Sequence, residues 1–214
     1  MKKLLILLIS LFLLLSSTSA FADDISDFQI EGISIGDSLL DYMTEDEILE
    51  EIKLSLSLNE YSYLNVPDKY VDIYLYEDFP SFEFITFMIN PNSSSKYITN
   101  KNAANEKYII LSVRGGIKYI ENFNGCMQKR KEIDDGLTTI FKNLERSTST
   151  YKSRDDPSGK SIVNEISYVF NSGAEATIYC LDYEENLRIK NNWTEGLNVF
   201  IKTPEIVDWF LNSE

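Results

Sequence analysis

The chain contains no histidine among its 214 residues. That absence removes Ser-His-Asp and Cys-His nucleophilic machinery, histidine-ligated zinc and any imidazole proton shuttle. Only two cysteines are present, Cys126 and Cys180. Their spacing excludes a CxxC redox motif and thiolate zinc clusters. Cations are scarce: 20 lysines and arginines face 34 aspartates and glutamates, a net charge of −14. No basic stripe interrupts the excess. A field of that sign repels phosphate backbones and anionic membranes, so no nucleic-acid partner is expected.

Long apolar runs are also missing, with one exception. Lys2 and Lys3 precede a run from Leu4 to Leu15 that only Ser10 interrupts, and small residues follow. The run is too short to span a bilayer as a helix, which takes roughly 20 apolar residues. Ala20-Phe21-Ala22 fits the small-x-small rule of signal peptidase. Residues 1–22 therefore read as a cleaved signal peptide, with Ala20 and Ala22 setting the cut before Asp23. No cysteine follows the run, so no lipid anchor and no stable membrane attachment is expected after cleavage. Cleavage removes two lysines and no acid, so the charge falls from −14 to −16. The product is expected in the periplasm or outside the cell.

The remaining 192 residues read as a single domain, 23–214. A chain of that size buries a real core, and 43% hydrophobic with 25% charged residues is ordinary for a globular protein. Residues 28–35 alternate and predict a short extended segment. Thr44-Glu45-Asp46-Glu47 is a capping box opening a helix over 45–54. Strands are predicted at 70–76, 82–89 and 108–113, with Gly115-Gly116 as a turn or bulge before 117–120. Residues 122–125 close that unit, and a helix is predicted over 126–142. Residues 145–161, rich in Ser, Thr, Asp and Lys, read as a long loop. A hairpin over 162–170 and 176–183, a strand over 197–202 and a helix after Thr203-Pro204 complete the order. The expected fold class is α+β: an antiparallel sheet with helices packed on one face. Helix plus three strands occurs twice, dividing the domain into halves 31–122 and 123–214, with no repeat at residue level.

Catalytic motifs are weak throughout. Gly159-Lys160-Ser161 resembles the end of a phosphate-binding loop, but Arg154 stands where the earlier glycine belongs. Asp155-Asp156-Pro157-Ser158-Gly159 lacks the alternating acids and distant glutamate of a calcium loop. Asp182, Glu184 and Glu185 gather at a strand end and are the candidates for carboxylate-based hydrolysis. No catalytic residue, metal ligand or cofactor is assigned. In 70–76, Tyr70, Tyr74 and Tyr76 fall on one strand face and are the candidate ligand-binding residues, because aromatics bury large area and carry a polar tip. Cys126 shares a helical face with Ile133 and Leu137, and Cys180 a strand face with Ile178 and Ala176. The two are expected to form a disulfide across the helix–sheet interface, since exported chains persist in oxidising surroundings.

The opening Phe28-x-Ile30-x-Gly32-Ile33-x-Ile35-Gly36-Asp37-Ser38-Leu39, the mid-chain Cys126 and the closing Asp208-Trp209 resemble exported hypothetical proteins of small-genome marine bacteria. The apolar-Gly-Ser-helix opening is also similar, over about ten residues, to small periplasmic α+β modules of the BamE type. It departs from them after the helix, where Leu54-Ser55-Leu56 replaces an expected glycine. Neither resemblance carries functional residues onto this chain. Three readings stay open: a non-catalytic binding or scaffold protein with an unknown protein or small-molecule partner, a carboxylate-based envelope hydrolase, and a secreted inhibitor-like protein.

Overall fold

The capping box at Thr44 does open the first long helix. In the computed structural model of the protein, residues 25, 28–59, 61–75, 77–92 and 107–211 are described. The Thr44 hydroxyl accepts from the Glu47 amide at 3.4 Å, and the Thr44 amide donates to Glu47 Oε2 at 2.8 Å. Two otherwise orphaned donors are thereby satisfied at the start of α1, Glu45–Leu58. The helix buries Ile48 and Ile52, and Asn59 ends it in the left-handed region with φ 51°.

Seven strands follow: β1 Val71–Leu75, β2 Phe84–Ile89, β3 Ser112–Lys118, β4 Glu145–Lys152, β5 Ile162–Val169, β6 Glu175–Asp182 and β7 Gly196–Lys202. Three further helices interleave them: α2 Phe123–Ile140, α3 Glu185–Asn191 and α4 Pro204–Leu211. All neighbouring strands are antiparallel, in the order β1-β2-β3-β7-β6-β5-β4. The sheet is thus two meanders joined where β3 meets β7, each preceded by a long helix. The fold is α+β, as the element pattern predicts.

Strand alternation sorts the side chains onto two faces. On the helical face, Ile73, Phe87, Val113, Ile201, Ala176 and Tyr168 lie in register across six strands. All are buried, and they share one core with Ile48 and Ile52 of α1 and Cys126 and Leu137 of α2. The amino-terminal segment joins this core through Ile30, Ile33 and Ile35. It is not the extended strand its alternation predicts. Positive φ at Glu31 (54°) and Gly32 (79°) folds it into a tight turn closed by Ile30–Ile33 hydrogen bonds of 3.0 Å. α4 lies on the other face, over one corner. There Ile206 and Trp209 pack with Leu64, Tyr70, Met88 and Leu111 in a second cluster.

Three further elements differ from the sequence reading. Gly115-Gly116 is no turn; it lies inside β3. The ring of Phe82 occupies the place a Cβ on Gly115 would take, 2.6 Å away, and that of Phe84 the place at Gly116, 2.0 Å away. The glycines are seats for two rings rather than punctuation. Residues 145–152, read as loop, form β4. All eight are exposed, so no apolar period betrays the strand. Asn122, read as an end, is a beginning: its Oδ1 accepts from the Gly125 amide at 3.1 Å and caps α2.

The cysteines meet as expected. Cys126 at the start of α2 and Cys180 on β6 form a disulfide with Cα atoms 6.0 Å apart. Both are fully buried. The bond ties helix to sheet across 54 residues of chain. It is of the kind that forms and persists in oxidising compartments.

Candidate functional site

The acids proposed for hydrolysis do not converge. Glu184 caps α3, its Oε2 accepting from the Leu187 amide at 2.9 Å. Glu185 is exposed in the first turn of the same helix. Asp182 is raised from its ordinary value by burial and by nearby Glu195, an asymmetry an acid–base pair would need. Glu195, however, is committed to structure. It is 4% exposed and accepts from the backbone amides of Glu121 (2.8 Å) and Tyr183 (3.1 Å). It also ion-pairs with Arg188 at 3.6 Å. The 153–161 loop is likewise self-satisfied. The Asp156 carboxylate accepts from the amides of Ser158, Lys160 and Ser161 and from the Ser161 hydroxyl, all within 2.9 Å. Hydrogen bonds led by that from Ser158 hold its carboxyl well below the usual range. Its lone pairs close a turn instead of facing a cation. Among the described residues, no group of three or more potential metal ligands occurs.

The face opposite the long helices is a different matter. Beyond the corner under α4, its central row runs Tyr74, Thr86, Arg114, Phe200, Thr177 and Ser167 across the sheet. The adjoining row carries Phe84 over Gly116, then Asn198, Tyr179 and Glu165. Tyr74, Phe84, Arg114, Tyr179, Asn198 and Phe200 are half-buried, each retaining solvent access. Aromatic side chains standing on a pleated sheet thus shield the small ones between them. Thr86 and Thr177 are buried at 2% and 1% exposure in consequence.

Arg114 sits at the centre of this face. Its Nε donates to Thr86 Oγ1 at 3.1 Å. The Tyr179 hydroxyl is in hydrogen-bonding reach of the same guanidinium, whose Cζ lies 6.0 Å from the Phe200 ring centroid. Desolvation pulls the guanidinium down, but the surrounding Tyr179, Asp72, Tyr61 and Tyr74 more than offset this and keep it firmly charged. No carboxylate among the described residues forms an ion pair with it. Arg146, by contrast, is held bidentately by Asp134 at 2.8 Å through both Nε and Nη2, and Arg188 pairs with Glu121 at 3.3 Å. Asp72, on the same face, is taken by the Tyr61 hydroxyl at 2.5 Å, and burial raises its pKa.

Two of the three candidate tyrosines can be placed. Tyr70 is 2% exposed beneath α4, edge-on to Trp209 at 5.1 Å, with its hydroxyl donating to Glu205 at 2.8 Å. Its role there is packing. Tyr74 is half-buried on the central row with Arg114. Tyr76 lies outside the described residues, as do Ala20 and Ala22. Sequence reasoning passed over Arg114, Tyr179, Phe84 and Phe200. The signal is present as strand alternation at 197–202 and 176–183, whose outer side carries Phe200 and Tyr179. A small crevice of about 10 Å³ near the end of α1, lined by Ser55, Tyr61, Asp68 and Tyr70 among others, carries no acid–base pair.

No protein-family model, curated protein or solved structure matches the chain. Among the described residues, no helix is long and apolar enough to cross a membrane.

Proposed function

We propose that the protein is a non-catalytic binding or scaffold protein of the periplasm or cell exterior, and that it engages its partner through the sheet face around Arg114. The observation that carries the reading is the composition of that face. Half-buried aromatics surround an arginine that no carboxylate among the described residues holds in an ion pair, which is the residue chemistry enriched at protein interfaces. The hydrolase reading has less support, because Glu184 caps a helix, Glu185 is exposed on it, and Glu195, the acid that acts on Asp182, holds two backbone amides and pairs with Arg188. Export is supported by the signal-type amino terminus and by the buried disulfide.

The test is site-specific photo-crosslinking in the native cell envelope. A photoreactive residue replacing Phe84 or Asn198 should yield a discrete adduct, and one replacing exposed Lys53 on α1 should not. Adducts from Lys53 alone, or none from either face position, would sink the reading. Mass analysis of the same exported sample should start at Asp23. If the captured partner is an enzyme whose activity falls on binding, the inhibitor version of the reading holds.

A further inference from the structure

We infer that Arg114 is the receptor for a carboxylate side chain presented by a protein partner docking on this sheet face. The inference rests on the binding role just proposed and gives it a chemical requirement. A guanidinium has five N–H donors in one plane. Thr86 and Tyr179 engage two of them. The remaining donors belong to a side chain that is half-buried and keeps part of its surface in solvent. Their geometry is a fork that suits the two oxygens of a carboxylate.

Three features make the site more than one exposed cation. First, Arg114 is fixed from below and from the sides: its Nε is spent on Thr86 and the Phe200 ring flanks it. Less rotamer freedom is lost on binding than at a free surface arginine. Second, among the described residues no carboxylate forms an ion pair with it, and Asp72, the acid whose charge acts on it, is itself taken by the Tyr61 hydroxyl, whereas the nearby Lys202 is already paired with Glu175 at 2.6 Å. Third, the surroundings are a broad sheet face carrying half-buried aromatics. Phe200 flanks the guanidinium and Phe84 stands in the adjoining row of the same pleated surface, an arrangement that offers a small molecule few enclosing walls. A protein surface can cover such a face, excluding water around a central charged pair. The overall negative charge sets a further condition. The partner must be neutral or basic overall and bring one acid to an otherwise apolar contact, since a generally acidic surface would be repelled.

The experiment observes the Nε–Hε resonances of the five arginines in the mature protein by NMR, with Arg114 assigned through bonds and checked with the Arg114→Gln variant. The probes are N-acetyl-Phe-Glu-amide, its glutamine counterpart N-acetyl-Phe-Gln-amide, and inorganic phosphate. The Arg114 resonance should respond to the glutamate probe with an affinity about tenfold above the glutamine probe, the margin of a charged over a neutral acceptor. Arg146 and Arg188, already ion-paired, should not respond. Equal response to both peptides, response at another arginine, or none at Arg114 overturns the inference. Phosphate matching the glutamate probe would assign the site to free oxyanions and overturn the protein-carboxylate version. Loss of the carboxylate response with crosslinking from Phe84 and Asn198 intact removes this inference alone. Loss of crosslinking removes the binding role beneath it.

Discussion

The two ends of the sheet are built to opposite rules. At the β1 end the edge is closed. The outward amide of Asp72 donates to Ser55 Oγ at 3.1 Å and that of Tyr74 to Glu51 Oε2 at 3.2 Å, both acceptors on α1. Four of the five residues of β1 are buried. At the β4 end all eight residues are exposed, and among the described residues nothing pairs with the strand's outer side. The ladder continues from Ser153, whose amide donates to Ser161 at 2.9 Å. Odd-numbered residues of β4 therefore point their backbone groups inward to β5, and Arg146, Thr148, Thr150 and Lys152 point theirs outward. One end is held by burial, with its edge blocked against strand addition. The other is held by hydrogen bonds and one ion pair, with only side-chain charge guarding its edge.

The largest effect should come from the disulfide between these ends. The double variant Cys126→Ala/Cys180→Ala loses about 4 kcal/mol of unfolding free energy by the loop-entropy estimate for its span. Denaturant titration measures the total. Hydrogen exchange should show β4–β6 losing more protection than β1–β3, because α2 pins the second meander. Uniform loss across the sheet would mean that the ends are not separately held.

Asp134 ranks next. Its carboxylate takes Arg146 from β4 and the Tyr168 hydroxyl from β5, the latter at 2.5 Å. The Arg146 hydrogen bond leads the causes that keep its pKa below the ordinary carboxylate value. The contribution is then complete above the unfolded value of about 3.9 and is lost as the pH falls through the lower folded value. Asp134→Asn should cost about 1–3 kcal/mol at neutral pH. It should cost less at low pH, where the native carboxyl is protonated anyway. A cost independent of pH would show that the pair does not titrate with folding.

Smaller still is Ser55→Ala, which orphans the Asp72 amide at the closed edge. About 1 kcal/mol is expected, with faster amide exchange at Asp72 and no change at β4. The smallest effect belongs to the open edge. Thr148→Pro removes an outward donor and should change stability by less than about 1 kcal/mol. Ser149→Pro, one residue along, removes an inward donor and should cost distinctly more. Equal effects at both positions would contradict the register of β4.

What could be read from the sequence tracks the same contrast. Wherever burial on one side sets the structure, periodicity reports it: Val71, Ile73 and Leu75 alternate, and Ile166, Ile178, Cys126 and Leu137 share faces. The Cys126–Cys180 bond and the Thr44 cap were legible because each follows from residue type plus spacing. β4 was not, since Glu145-Arg-Ser-Thr-Ser-Thr-Tyr-Lys152 buries nothing and owes its extension to β5. Gly115-Gly116 misled for a related reason. The rings that fill their missing Cβ volumes come from Phe82 and Phe84, about thirty residues away in the chain. Tyr70 and Tyr74 were correctly set on one side of the sheet, but only the docking of Trp209 decides that Tyr70 serves packing. Arg114 gives no sign of its setting in sequence, because which groups surround a side chain is a property of neighbours in space.

The burial of both sulfurs has a consequence for the life history of the molecule. With Cys126 and Cys180 fully enclosed, neither a thiol oxidase nor a small reductant can reach them once α2 has docked. The bond is made in a state in which α2 is not docked over β6, either before folding is complete or during an opening of the fold. A molecule that folds as a dithiol stays one until it opens again. A molecule that folds with the bond made carries a link that its surroundings cannot undo without first opening it. Its redox state is a record of when it was last open rather than a reading of where it is.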